Sequence, residues 1–300
     1  MGRGGSTLCF PDGDKTCFAC CPPIRPAGYD HADYEGIIKR VLRENTKAYL
    51  PEETSVRPIT GFSCWALGYL DPGFRLVGCL LHPARHQGID LRFRVDFGEK
   101  CRREICPEAY VFDCLEDDIR AFWLQTARDL DSFSYSSRQR NPLFLFLDWG
   151  PDILKMIAEK DPGGTHSASS LVKAFPLLAS HLSPRAWAYP VRHLASIIGR
   201  DLFCDPRLIE AIEPGLAGLV DSVLREGPFW DVPGTHPVHL LQMDRSFLDF
   251  LRLSAGIRRI EPERAGMLKE LVHDSLERLA RKIHLPPRRK GAKMEAGVHP

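Results

Sequence analysis

The chain has 300 residues, 44% hydrophobic and 26% charged, the composition of an ordinary globular protein that can bury a core. Its 40 Lys and Arg face 39 Asp and Glu, and a formal charge of +1 excludes nucleic-acid binding driven by bulk charge. No apolar run approaches the roughly 18 residues of a spanning helix, and the start, MGRGGSTLCFPDGDK, lacks the apolar core of a secretory signal. A cytoplasmic protein without a membrane partner is expected.

Residues 1–114 are rich in Pro, Gly and Cys, with turn signals at Pro11-Asp12-Gly13-Asp14, Pro22-Pro23, Asp71-Pro72-Gly73 and Gly98. One helix interrupts them, because Tyr34, Ile37, Ile38, Val41 and Leu42 recur at helical spacing behind Asp30 or Asp33 as caps. Phe74–Leu81 and Leu91–Phe97 read as two short strands around a loop, the second with strict alternation of apolar and polar residues. Helices then follow at Glu116–Leu130, Asp152–Glu159, Ser167–His181, Pro184–Gly199, Asp205–Arg225, Phe247–Gly256 and Pro262–Ile283. Internal prolines at 176, 190 and 214 predict kinks or breaks. The expected fold is therefore mainly α. An irregular cysteine-rich α+β module with a short β-hairpin, residues 1–114, packs on a multi-helix domain, 115–285, and a disordered basic tail follows at 286–300.

Cysteine placement is the most informative feature. Nine of ten cysteines lie in residues 1–114, and beyond them only Cys204 remains. In a reducing compartment, clustered thiols bind metal or carry redox chemistry more often than they form disulfides. Cys9 precedes the Cys17-x2-Cys20-Cys21 unit, and a C-x2-C turn brings two thiolates to one ion. Neighbouring side chains diverge, so Cys20 and Cys21 serve two different ions, or one of them is simply buried. Cys64, Cys79, Cys101 and Cys106 form a second group, with His82 three residues beyond Cys79 as a further candidate. Eight candidate thiolates suffice for two four-coordinate sites, or for one cluster plus structural thiols. Zinc and an iron–sulfur cluster both suit these ligands, and metal bonds would replace a missing core in so irregular a segment. Cys114 and Cys204 read as packing residues.

The order CFACC, then Cys64-Trp65-Ala66-Leu67, then Gly78-Cys79-Leu80-Leu81-His82-Pro83 and a closing cysteine pair resembles the YkgJ-type cysteine-cluster proteins, described as zinc- or iron-chelating. The likeness spans about Cys9–Cys106, a third of the chain. It implies a bacterial-type protein with metal ligands at Cys17, Cys20, Cys21, Cys64, Cys79 and Cys101 or Cys106. Leu81-His82-Pro83 replaces the family's Tyr-x2-Arg-Pro run, a longer gap follows Cys79, and the second C-x2-C of the family start is stretched to Cys9-x7-Cys17. A flagellin lysine-methylase-like protein has a similar cluster, which keeps modification chemistry in view by analogy.

Arg25, Arg92, Arg94, Arg102 and Arg103 surround the cysteines and would lower thiol pKa values or offset thiolate charge. His236 and His239 are three apart, but Pro237 lies between them, and a structural role is expected. The chain lacks G-x-S-x-G, HExxH, P-loop and G-x-G-x-x-G motifs. Arg278, Arg281, Lys282, Arg288, Arg289, Lys290 and Lys293 make a basic end that is either a solvated tail or a contact for an acidic or protein partner. Two functions follow: a metal-binding cysteine-cluster protein with a structural, redox or interaction role, or an iron–sulfur enzyme with a substrate pocket in the helical half.

Overall fold

A computed structural model describes residues 6–21, 29–61, 63–103, 106–161, 167–226 and 234–284. The chain divides into two compact units, Met1–Ala174 and Phe175–Pro300. The protein is mainly helical, with two short antiparallel ribbons. No helix among the described residues is long and apolar enough to cross a membrane.

In the first unit, the Asp30 carboxylate accepts from the Ala32 N–H at 2.8 Å and starts a 3₁₀ turn, His31–Tyr34. That turn leads into α1, Glu35–Ala48, whose Ile38 and Leu42 are fully buried. Strands β1, Leu67–Tyr69, and β2, Val77–Cys79, pair antiparallel with Leu67 opposite Cys79. The Asp71 carboxylate turns the chain between them by accepting from the N–H groups of Gly73, Arg75 and Leu76. Gly68 is required where α1 meets the hairpin, since a Cβ there would lie 2.7 Å from Thr46 Oγ1. That hydroxyl instead accepts from the Tyr69 N–H at 2.8 Å.

The second expected strand, Leu91–Phe97, does not form; Arg92–Arg94 is a 3₁₀ turn. The Asp90 carboxylate accepts from the Arg92 N–H and pairs with its guanidinium, which curls the chain at the first residues of the alternating run. Only an isolated bridge between Arg57 and Val95 remains of strand pairing there, and Phe93 stays 57% exposed. The hairpin partner of β2 is the segment before it.

Six further helices and a seventh short one complete this unit: α2 Gly98–Arg103, α3 Pro107–Asp113, α4 Asp117–Gln125, α5 Ser132–Ser136, α6 Leu143–Leu147, α7 Pro151–Lys160 and α8 Ala168–Ala174. The helices between 115 and 174, read from sequence as part of a separate domain, are grouped with the cysteine-rich region. Trp123 anchors them, fully buried, with its indole N–H donating to Leu154 O at 3.2 Å. The expected Ser167–His181 helix ends at Ala174, because the residue before Pro176 is biased out of the helical region; a 3₁₀ turn follows at Pro176–Ala179.

The second unit contains α9 Pro184–Ile198, α10 Pro206–Arg225, α11 Arg245–Leu253 and α12 Pro262–His284, with a two-residue ribbon of β3 His236–Pro237 and β4 Arg259–Ile260. Pro190 and Pro214 lie inside continuous helices. Each removes one N–H donor, but the buried faces of Tyr189, Val191 and Leu194, and of Ile212, Leu216 and Leu219, hold the helices on course. His193 of α9 stacks on His273 of α12, centroids 4.3 Å apart and rings 3° from parallel. His273 Nε2 and the Tyr189 hydroxyl lie 2.5 Å apart.

Burial, and then the charge of His273, hold His193 below its ordinary pKa. The unfolded chain binds a proton here that the folded chain does not, from about pH 6.5 downward. Stability from this contact is therefore complete above that pH and is lost as the pH falls through the folded value. Amide exchange in α9 and α12, corrected for intrinsic rates, is expected to lose protection between about pH 7 and pH 5 in the native sequence, with a shallower loss in His193→Gln.

Candidate metal centre

The loop carrying the first four cysteines has little regular structure, and side chains from elsewhere hold its backbone. The Thr16 hydroxyl donates to Val77 O at 2.7 Å and accepts from the Val77 N–H at 2.8 Å, so β2 and the loop are joined in both directions. From α5, Ser132 Oγ accepts from the Thr16 N–H at 3.2 Å and Ser136 Oγ accepts from the Phe18 N–H at 2.9 Å. Ser132 also donates to Arg75 O at 2.5 Å, and the Tyr135 hydroxyl donates to Leu8 O at 2.9 Å. Serines four apart on one helix face thus serve two N–H groups of a buried loop that would otherwise be unsatisfied. Within the loop, the Cys17 N–H donates to Cys9 O at 2.9 Å and the Cys21 N–H to Phe18 O at 3.0 Å. Buried His31 hydrogen-bonds Cys21 O through Nε2, and its ring lies 4.6 Å from that of Phe18.

The second group is delivered by the hairpin and the helices that follow it. Cys64 is buried ahead of β1, and Asn45 of α1 donates to Cys64 O at 3.0 Å and Leu67 O at 2.8 Å. Cys79 ends β2, Cys101 lies in α2, and Cys106 precedes α3. Phe18, Cys64, Leu67, Val77 and Leu81 share one core cluster, with Cys21 and Cys79 packed against it. Arg92 donates to Cys101 O at 3.0 Å while paired with Asp90. Cys106 Sγ donates to Glu108 Oε2 at 2.6 Å, and Glu108, itself buried, also takes the Arg138 guanidinium.

Of the eight sequence-selected cysteines, Cys64 is buried, Cys17, Cys21, Cys79, Cys101 and Cys106 are half-buried, and Cys9 and Cys20 are exposed. Burial pushes Cys9 up to about 11, with the charges of Cys20 and Asp113 adding to it. Burial raises Cys17 further, among Cys9, Cys20 and Cys106. Cys21 is raised first by a hydrogen bond with Cys20 and then by burial, with Cys79 and Cys64 nearby. Burial takes Cys64 to about 12 beside Cys79 and Cys101, and Cys79 to about 11 beside Cys101. Cys101 is raised by burial against the opposing charge of Arg92, and Cys20 also raises it. Cys106 reaches about 12 through burial and then its bond to Glu108. Of the adjacent pair, Cys21 packs against the core cluster while Cys20 is exposed.

None of the ten cysteines is in a disulfide, and no group of three His, Cys, Asp or Glu side chains among the described residues is already placed to hold an ion. Thiolate sulfur as a donor type suits a soft or borderline cation. Ionising these thiols together would bury several negative charges, and the nearby cations Arg92 and Arg138 are already matched by Asp90 and Glu108.

Other candidates fare differently. Cys114 is exposed at the end of α3, so core packing does not explain it, while Cys204 is half-buried in the other unit. His82 caps the turn at Pro83–Arg85, its Nδ1 accepting from the Ala84 N–H at 3.2 Å. Arg94 is buried and donates to Pro51 O; Arg102 pairs with Glu99. Arg25 and the basic residues 288, 289, 290 and 293 lie outside the described residues. His236 and His239 fall in β3 and a 3₁₀ turn, without a shared helix. Glu108, Arg138, His31, Thr16, Ser132 and Ser136 escaped the sequence reading; only the four-residue serine spacing in Ser132-x3-Ser136 hinted at a shared face.

Replacing Thr16 with Val removes both bonds to Val77, and Ser136→Ala removes the acceptor for the Phe18 N–H. Each variant is expected to lose about 1–3 kcal/mol of stability by urea unfolding, and Cys17 should alkylate faster than in the native chain. No family model, curated protein or solved structure matches the chain.

Proposed function

We propose that the chain is a metal-binding cysteine-cluster protein that holds zinc or an iron–sulfur cluster through Cys9, Cys17, Cys20, Cys21, Cys64, Cys79, Cys101 and Cys106. The observation that carries this reading is that these eight cysteines, drawn from five separate stretches of chain, lie in one compact unit without a disulfide, with Cys64 in one core cluster and Cys21 and Cys79 packed against it. Packing alone gives cysteine no reason to converge on cysteine, because a small apolar residue would fill the same space without the mutual charge interactions. The YkgJ-type spacing supports the same reading.

A zinc ion would staple an irregular segment, and an iron–sulfur cluster would add one-electron chemistry. The chain's own residues do the rest. Thr16, Ser132 and Ser136 fix the loop, Asn45 fixes the Cys64 end of the hairpin, and the Arg92–Asp90 and Arg138–Glu108 pairs border the thiols. Glu108 accepts the Cys106 S–H and is placed to take its proton when the sulfur becomes a ligand. The role that follows is structural, redox or interaction-based.

The full chain, purified anaerobically, is expected to carry stoichiometric zinc, or iron with acid-labile sulfide and a brown colour. Elemental analysis should find that metal lost when all eight cysteines become Ser. Apparent affinity should fall as the pH is lowered, because each ligating thiol must give up its proton. A chain that carries no metal, and whose thiols alkylate at the same rates with and without added Zn²⁺, contradicts the reading.

A further inference from the structure

The four long helices of the second unit are tied together in two pairs. Polar straps join α9 to α11: Arg185 pairs with Asp249 at 2.8 Å, Arg192 pairs with Asp244 at 2.5 Å, and Ser254 Oγ donates to Ala186 O at 2.9 Å. A close approach joins α10 to α12. Gly215 admits Leu279 where a Cβ would collide with it, and the Arg264 guanidinium donates to Glu226 O at the end of α10. Where α9 meets α12, between the pairs, lie Tyr189, His193 and His273. The Tyr189 ring belongs to the α9/α11 side, with Phe247 of α11 at 5.1 Å between centroids and the Arg192 guanidinium 5.4 Å from its centre.

The two imidazoles differ in their capacity for a proton. Tyr189 Oη stands 2.5 Å from His273 Nε2, and a hydroxyl can donate or accept, so His273 keeps this partner in either charge state. His193 Nε2 is buried without a hydrogen-bond partner. An imidazolium at His193 therefore buries an N–H that has no acceptor, on a ring stacked 4.3 Å from a second imidazole. The charged groups facing it divide. Arg192 on α9 opposes the extra charge and Glu277, exposed on α12, favours it, with burial and His273 outweighing Glu277. Asp244 of α11 is engaged with Arg192, and Glu270 of α12 faces Tyr189.

We propose that the His193–His273 stack is a pH-sensitive joint: neutral rings hold the α10/α12 pair against the α9/α11 pair, and uptake of one solvent proton by His193 parts the rings and opens the seam while each pair stays intact. The step makes and breaks no covalent bond other than that of the added proton. The straps within each pair contain no histidine, so mild acid leaves them in place and the opening stays local. The joint lies in the unit without the cysteine cluster and is independent of the metal-binding reading.

The test is hydrogen exchange of the full chain, read helix by helix by mass spectrometry from pH 8 to pH 5 and corrected for intrinsic rates. Opening that takes up one proton should speed exchange by up to about tenfold for each pH unit below about 6.5. The acceleration should be confined to the turns around His193 in α9 and His273 in α12, while α10 and α11 keep their protection. His193→Phe retains a stacking ring that cannot titrate, and should lose the acceleration. Because a variant at the seam can fail to fold, the exposed Glu277→Gln supplies a second readout. Without the carboxylate that eases protonation of folded His193, the acceleration between pH 8 and pH 5 should exceed that of the native chain. No acceleration in the native chain, equal loss of protection in α11 and α12, a native slope in His193→Phe, or an unchanged or smaller acceleration in Glu277→Gln each overturns the joint.

Discussion

Thr16 uses one hydroxyl twice, donating to Val77 O and accepting from the Val77 N–H, and this joins a loop without regular structure to one edge of a three-residue strand. Cys17 follows Thr16 directly, and Cys79 lies two residues beyond Val77. The bridge therefore sets the register between the two cysteine groups. Ser132 and Ser136 brace the other side of the loop by satisfying its N–H groups. Without these side chains the loop would bury unpaired backbone, at a cost of roughly 1–3 kcal/mol for each group left unsatisfied. This polar framework holds the loop that carries Cys17, while Cys64, Cys21 and Cys79 sit in or against an apolar core cluster.

Charge imposes the second constraint. Burial raises the thiols, so the metal-free protein keeps them protonated, and two arginines already matched by carboxylates cannot balance many thiolates. Such a set is stable as neutral thiols or as thiolates around a cation, and the intermediate condition is disfavoured. On the metal-binding reading proposed above, ion binding and local order would be coupled in this region. The second unit has no such dependence: its apolar helix faces bury Ile212, Leu216, Val272 and Leu276 in a conventional core.

Much of this was legible from spacing. The long helices were, because 3.6-residue periodicity persists over several turns, and the crowding of nine cysteines into residues 1–114 is plain from the sequence itself. Leu91–Phe97 was misread because alternation describes a side-chain pattern, whereas the local Asp90–Arg92 pair determines the backbone. The short helices α3, α5 and α6 span only one or two turns and leave too little periodicity to detect. Glu108 and Arg138 lie 30 residues apart, and the Cys106–Glu108–Arg138 chain exists only after folding.

The central claim is that sulfur from this set, and little else, surrounds a metal. X-ray absorption at the metal edge of the loaded full chain tests it most directly. The account predicts a first shell of sulfur alone at about 2.3 Å. A shell dominated by nitrogen or oxygen at about 2.0–2.2 Å would contradict it.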